Sequence, residues 1–313
     1  MSDLRKLILN DLPISSNQLN RLIATAPHRY KTFYIPKKTP GELRLVAQPA
    51  SEVKTLQRWV VDHLKDKFPI HLAAAAYQPG TGIKFNADQH KESRFVLKMD
   101  FKDFFYSIME NDLRSHFVKY YDQNISNEDL DDFCRILLWA PKYTRDRSLC
   151  IGAPSSPFIS NSVMYDFDSL LSVFCGEKEV KYTRYADDLT FSTNVENKLS
   201  SIFDFVIQLV SKLDYPKLKI NINKTVNTSR GRGIKITGVT VTADKKLSLG
   251  RDRKRAIRSM VNHFLLGHLS KDDVNKLNGL LAFANDIEPE FIIRIQTKYG
   301  FDILRKIHRS VEN

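Results

Sequence analysis

Three aspartates carry the strongest chemical signal in this sequence. Asp100 closes the apolar run RFVLKMD, and Asp187 and Asp188 stand side by side in VKYTRYADDLTFS. An aspartate at a strand end or in a hairpin is ordinary turn chemistry and is normally solvated. Here Phe95, Val96, Leu97 and Met99 precede the first, and Tyr185 and Ala186 precede the pair, so the carboxylates emerge from apolar strands and need partners. Hard divalent cations suit them: magnesium takes one or two protein carboxylates and completes its shell with water and phosphate oxygens. Two such ions about 3.5–4 Å apart serve nucleotidyl transfer, one activating an attacking 3′-hydroxyl and the other steadying a triphosphate and its leaving group. A few acidic side chains on rigid strands are enough for that task.

The elements that must position them can be read from periodicity. RFVLKMD reads as a buried strand, and VKYTRYADDLTFS as two short strands around a two-residue Asp187-Asp188 turn. Upstream, a helix over Ser16 to Thr25 precedes two strand-like runs in YKTFYIPKKTPGELRLVAQP, separated by Pro40-Gly41. A helix from Ser51 to Phe68 places Val53, Leu56, Val60, Val61 and Leu64 on one side, with Lys54, Arg58 and Lys65 on others. Downstream, IKITGVTVT and KKLSLG form a strand pair before a helical tail that begins at about Arg251. Strands and helices alternate without regular βαβ spacing, so the expected fold class is α+β with an antiparallel sheet.

The chain has 313 residues, 42% hydrophobic, a formal net charge of +12 and a pI near 9.4. That length supports a sizeable core, and that charge favours a polyanionic partner. Residues 221–313 hold 18 Lys plus Arg against 9 Asp plus Glu, so most of the excess lies in the last third. No apolar run approaches the roughly 18–20 residues that span a bilayer, and MSDLRKLILNDLP lacks a signal-peptide core, so a cytoplasmic protein with no membrane association is expected. Cys134, Cys150 and Cys175 are widely spaced and odd in number, which reads as buried thiols rather than disulfides or a zinc site.

YADD at Tyr185 to Asp188 resembles the signature of reverse transcriptases, and the DFKDFF run from Asp100 resembles the motif that supplies its partner carboxylate. The resemblance implies a right-hand polymerase: fingers and palm interleaved over residues 1–244, and a helical, RNA-binding thumb over 245–313. It implies an RNA-directed DNA polymerase whose two Mg2+ ions are held by Asp100, Asp187 and Asp188, with dNTPs as substrates. Other residues carry over by motif. GAPSSP, starting Gly152, Ala153, Pro154, is similar to the nucleotide-pocket loop, although Leu149-Cys150-Ile151 stands where many relatives have Leu-Pro-Gln. Phe105 falls where an aromatic excludes a 2′-hydroxyl, with core packing beside Phe104 as the alternative. Lys224 matches a lysine that protonates or neutralises pyrophosphate. Arg44, Lys54 and Gln57 resemble the fingers motif that meets triphosphate or template. Asp103 reads as a cap or local hydrogen-bond acceptor rather than a ligand.

Two further matches narrow the type. Asn86 to His90, NADQH, fits the Asn-Ala-x-x-His pattern of retron reverse transcriptases, and Ile236-Thr237-Gly238 is similar to their Val-Thr-Gly element, a primer-grip turn. A tail of thumb size, without RNase H or maturase segments, agrees with that type. Asn86 and His90 are therefore expected to contact RNA, as are Arg251, Arg253, Lys254, Arg255 and Arg258 in GRDRKRAIRSM. Implied partners are a cognate structured non-coding RNA, its DNA product, and a separate effector protein in phage defence. An intron-type, diversity-generating or abortive-infection reverse transcriptase, or a non-catalytic RNA-binding scaffold, are the alternatives.

Overall fold

Helices α1 (Asp3–Asp11) and α2 (Ser16–Thr25) open the chain. A reciprocal cap fixes α2, in which Ser15 Oγ accepts from the Gln18 amide and Gln18 Oε1 accepts from the Ser15 amide. In this computed structural model, the described residues are 2–312 apart from 38, 39, 145, 230 and 232, with backbone alone at 312. Strands β1 (Tyr30–Pro36) and β2 (Leu43–Pro49) form the expected basic hairpin, with Gly41 at φ +82° in its turn. Helix α3 spans Ser51–Leu64, ending before the expected Phe68. The Phe68 amide still reaches the Leu64 carbonyl at 2.9 Å, but Pro69 follows and drives the chain out of helical geometry.

Helix α4 (Ile83–His90) leads into β3 (Phe95–Asp100), after which α5 (Phe104–Ser107), α6 (Glu110–Tyr120) and α7 (Asn127–Leu137) follow. Helices α8 (Ser156–Val163) and α9 (Tyr165–Glu177) then precede β4 (Lys181–Tyr185) and β5 (Asp188–Thr193). Helix α10 (Lys198–Lys212) and β6 (Val226–Ser229) complete this part. The sheet runs β4-β5-β3-β6, every neighbour antiparallel. One face packs Leu97, Met99, Leu189 and Phe191 into a large core with residues of α3, α8, α9 and α10. Cys134, Cys150 and Cys175 are buried free thiols.

A second core lies beyond. Strands β7 (Ile234–Ile236), β8 (Val239–Val241) and β9 (Leu247–Ser248) form a small antiparallel sheet. It packs with α11 (Arg251–Leu265), α12 (Lys271–Ile287), α13 (Pro289–Tyr299) and α14 (Ile303–Glu312). Ala87 of α4 and Val96 of β3 enter this core too, so the two bodies share a seam. A division after residue 244 falls between β8 and β9, which pair Thr240 with Ser248. Ile234, Ile236, Val239 and Val241, which precede that division, share the apolar cluster of α11 to α14. The fold class is α+β, as expected. Among the described residues no helix is long and apolar enough to cross a membrane.

Candidate active site

Strand register brings the three aspartates together. Asp100, the last residue of β3, pairs directly with Asp188, the first of β5. Tyr185 pairs with Asp188, so the two linking residues are Ala186 and Asp187. The expected Asp187-Asp188 turn is thereby corrected by one position: Asp188 must lie in the sheet to face Asp100. Ala186 adopts φ +56°, and the Phe101 amide donates to the Asp187 carbonyl at 3.1 Å, tying the turn to the end of β3. Carboxylate oxygens of Asp100, Asp187 and Asp188 lie within 4.8 Å of one another, the first buried, the second half-buried, the third exposed.

Burial first, then the charges of Asp188 and Asp100, push the Asp187 carboxyl up to about 7. Burial and two like-charged neighbours thus make a third negative charge costly at this site. Lys224, in a 3-10 turn after α10, donates to Asp100 Oδ2 at 2.8 Å, and this hydrogen bond raises its own pKa. Three hard oxygen donors crowded in this way fit magnesium, and Asp100, Asp187 and Asp188 would hold it. A cavity of about 530 Å³ is lined by Asp100 and Asp188 together with Lys98, Lys224, Lys235, Thr237 and Gly238. Thr237 and Gly238 form the β7–β8 turn, both with positive φ, so the primer-grip match shares this space with Asp100 and Asp188.

The pocket-loop match sits against the β1–β2 hairpin. Gly152 has φ +116°, and a Cβ there would lie 2.7 Å from the Ala47 carbonyl oxygen. The close approach that requires glycine is thus to the protein's own β2. The Ala47 amide donates to the Ile151 carbonyl, and the Cys150 thiol to the Ala47 carbonyl, so the residues replacing Pro-Gln dock this loop. Ala153 is buried in the small cluster at this contact, and Pro154 follows it. Phe104 is core, whereas Phe105 is half-buried with its ring edge-on to Phe104 at 5.4 Å. Asp103 has φ +49°, and its side chain caps nothing, against expectation. Arg44 is exposed on β2, and Lys54 is half-buried on α3. Gln57 is corrected to a structural role: it is buried, donating to Tyr30 Oη and the Ile136 carbonyl.

Asn86 and His90 are corrected as well, because both are fully buried and cannot meet RNA. His90 Nε2 lies 2.7 Å from Thr183 Oγ1, Nδ1 lies 2.7 Å from Ser192 Oγ, and Thr183 Oγ1 donates to Asn86 Oδ1. Asn86 Nδ2 donates onward to Thr237 Oγ1 at 3.4 Å. Burial pushes the His90 pKa down to about 3, so the ring stays neutral near pH 7, held between the Thr183 and Ser192 hydroxyls. Between that value and an ordinary 6.5 the unfolded chain takes up a proton that the fold refuses, so stability falls as pH drops through this window. His90→Leu is expected to cost about 1–3 kcal/mol at pH 7 and to flatten the acid slope, while RNA affinity below the melting range stays unchanged. Denaturant melts across pH 4–8 check this; a wild-type midpoint with weakened RNA binding would restore the surface role.

In α11, Arg251, Arg255 and Arg258 are exposed. Arg253 and Lys254 are not free for RNA as expected: Arg253 Nη1 donates to the Gly238 carbonyl and its guanidinium stacks over Phe283, while Lys254 pairs with Glu288 at 2.7 Å. Both flank Ile257, the buried side of the helix, and so fasten it to its neighbours. Sequence reading also missed Arg184 and Asp168, a fully buried ion pair behind the Ala186 turn. The only signal was a charge at each of two positions within apolar elements, and nothing in the spacing pairs them.

Residues 35–241 match the family described as reverse transcriptase (RNA-dependent DNA polymerase). The chain is 42% identical over 287 residues to the retron Ec83 reverse transcriptase of Escherichia coli, covering 90% of this chain and 91% of that one. It belongs to the retron reverse transcriptases. To the retron Ec73 reverse transcriptase of Escherichia coli the enzyme is 34% identical, over 93% of its own chain and 94% of that one. To the retron Mx65 reverse transcriptase of Myxococcus xanthus it is 31% identical, over 83% of its chain and 62% of that longer one. The reverse transcriptase fold extends to telomerase from Candida tropicalis in complex with a TWJ fragment of telomeric RNA. That likeness has a TM-score of 0.52 at 14% identity and spans 97% of this chain but 61% of that one. Telomerase from Candida albicans gives 0.50 at 13%, over 99% of this chain and 64% of that one.

Proposed function

We propose that this enzyme copies part of a cognate structured non-coding RNA into RNA-linked single-stranded DNA. It starts from the 2′-hydroxyl of a guanosine in that RNA, consumes dNTPs, and acts in the cytoplasm in phage defence with a separate effector protein. One observation carries the reading. Three carboxylates lie within 4.8 Å of one another, and two of them, Asp100 and Asp188, share a cavity with the Thr237-Gly238 turn, in a chain similar to retron reverse transcriptases along nearly its whole length.

Two magnesium ions, when bound, would activate the attacking hydroxyl and neutralise charge on the triphosphate. The protein's own groups do the rest. Asp100 and Asp188 are fixed by strand pairing, and Asp187 by a turn whose carbonyl accepts from the Phe101 amide, so the backbone that carries the three carboxylates is set in advance. Lys224, kept charged by Asp100, supports neutralisation of departing pyrophosphate rather than proton donation to it. The β7–β8 turn braces the growing 3′ end, the loop at Gly152, Ala153 and Pro154 borders the incoming nucleotide, and exposed Arg44 with Lys54 meets triphosphate or template. Arg251, Arg255 and Arg258 offer an exposed basic face for the RNA.

Phe105→Ala is expected to raise rNTP incorporation relative to dNTP by roughly tenfold or more, since one pocket wall sets that discrimination. Phe104→Ala should instead cost about 3–5 kcal/mol of stability with sugar choice intact. Single-nucleotide insertion kinetics on both variants separates the two rings, and unchanged discrimination in Phe105→Ala would return that residue to the core.

The proposal is tested by expressing the gene with its native flanking DNA. Total nucleic acid is run on a denaturing gel with and without RNase, beside the Asp187→Asn/Asp188→Asn variant. A discrete small DNA that shortens with RNase and vanishes in the variant supports it. Generic primer extension without that product would keep the polymerase and discard the self-primed RNA-linked DNA.

A further inference from the structure

Ala186 holds the turn that presents Asp187, and it does so at φ +56°. A residue with a Cβ in that region costs roughly 1–2 kcal/mol, so something must hold it there. Its carbonyl oxygen accepts from Arg184 Nη1 at 3.1 Å. Arg184 is fully buried, and the other donors of its guanidinium are committed elsewhere. Nε and Nη2 grip Asp168 at 2.9 and 2.6 Å, and Nη1 also reaches Asn161 Oδ1 at 3.1 Å. Tyr182 Oη donates to Asp168 at 2.7 Å, and Asn161 Nδ2 to the Ala76 carbonyl at 2.8 Å. Even its backbone is clamped: the Arg184 amide donates to Ala73 and its carbonyl accepts from Ala75, each at 2.7 Å.

An ion pair this deep adds little net stability, because desolvation offsets the attraction, and apolar replacements of such pairs are often neutral or better. What it supplies is direction. Only a planar guanidinium can grip one carboxylate with two donors and aim a third at a carbonyl, which an ammonium cannot. The anchors come from α8, α9 and the segment before α4, so the turn is indexed to three separate elements.

We propose that Arg184 is a positioning residue of the catalytic centre: by holding the Ala186 carbonyl it fixes the left-handed turn that sets Asp187 and Asp188 against Asp100. The inference rests on the reading of those three aspartates as a divalent-cation site. Arg184→Lys keeps the charge opposite Asp168 but cannot hold both Asp168 and Ala186. Groups that orient ligating side chains typically contribute about 10- to 100-fold to metal affinity.

The test uses the full chain, freed of metal, and titrates it with Mn2+ read by electron paramagnetic resonance without nucleotide or RNA. Wild type, Asp187→Asn, Arg184→Lys and the paired Asp168→Leu/Arg184→Met variant are compared, with circular dichroism melts for each. Arg184→Lys is expected to stay folded and to bind Mn2+ about 10- to 100-fold more weakly, with lower kcat for DNA synthesis at unchanged dNTP KM. The paired variant should show the same loss while melting at or above wild type, and it decides the matter should Arg184→Lys fail to fold. Wild-type Mn2+ affinity in the folded variants would overturn the inference. Equal Mn2+ binding by wild type and Asp187→Asn would instead overturn the cation-site reading, and the inference with it.

Discussion

Asp187→Asn is expected to abolish DNA synthesis and, in the absence of metal at pH 8, to make the protein melt at a higher temperature than wild type. The first effect should be roughly 10³-fold or more, about 4 kcal/mol of barrier at about 1.4 kcal/mol per tenfold. The second follows from linkage. Asp187 is raised from an ordinary 3.8 to about 7, first by burial and then by its two acidic neighbours. Between those values the folded protein keeps a proton that the unfolded chain has lost, so stability falls as pH rises through the window and the full penalty stands above it. Asparagine carries no charge and escapes the penalty. Each kcal/mol relieved would raise Tm by roughly 2–4 °C in a chain of this size, and at pH 4 the two proteins should coincide. Added Mg2+ should reverse the order by stabilising wild type alone. Melting curves at pH 4 and pH 8, with chelator or Mg2+, check all of this. A variant that melts below wild type at pH 8 without metal would contradict the cost of a third charge assigned to the aspartates.

Gly152→Ala should be the most damaging single methyl group in the protein. At φ +116° any other residue is strained, and the new Cβ would lie 2.7 Å from a backbone oxygen that no rotamer change can move. Strain of this kind costs about 1–3 kcal/mol. Relief requires the loop to part from β2, breaking the hydrogen bond from the Ala47 amide to the Ile151 carbonyl. Both a lower denaturation midpoint and a raised KM for dNTP are therefore expected, measured by urea titration and steady-state extension. Loss of stability with an unchanged KM would detach this loop from the nucleotide.

Much of the catalytic strand pair was legible because its pattern is short-range: FVLKMD and YADD carry their apolar context within a few residues. The one-residue error in the turn has a long-range cause, since the position of Asp188 is set by its partner Asp100, 88 positions earlier in the sequence. The Asn-Ala-x-x-His match assigns Asn86 and His90 to RNA, a role that needs them exposed. Their burial is permitted by Thr183 and Ser192, hydroxyls some hundred residues away on two other elements. Arg253 and Lys254 looked like part of a solvated basic face. Their partners, Gly238 and Glu288, come from a hairpin and a helix start that no spacing rule connects to α11. In each case the residue type was read correctly and its distant partner was invisible.

The polar chain that starts at Thr237 and runs through Asn86, Thr183 and His90 to Ser192 crosses the seam between the two cores. An oily seam tolerates sliding by fractions of an ångström at little cost, whereas hydrogen bonds between fixed groups weaken steeply with small displacements. The joint beneath the β7–β8 turn is therefore keyed rather than greased: displacing the C-terminal body along the catalytic sheet would cost these hydrogen bonds, a penalty that an apolar seam alone would not impose.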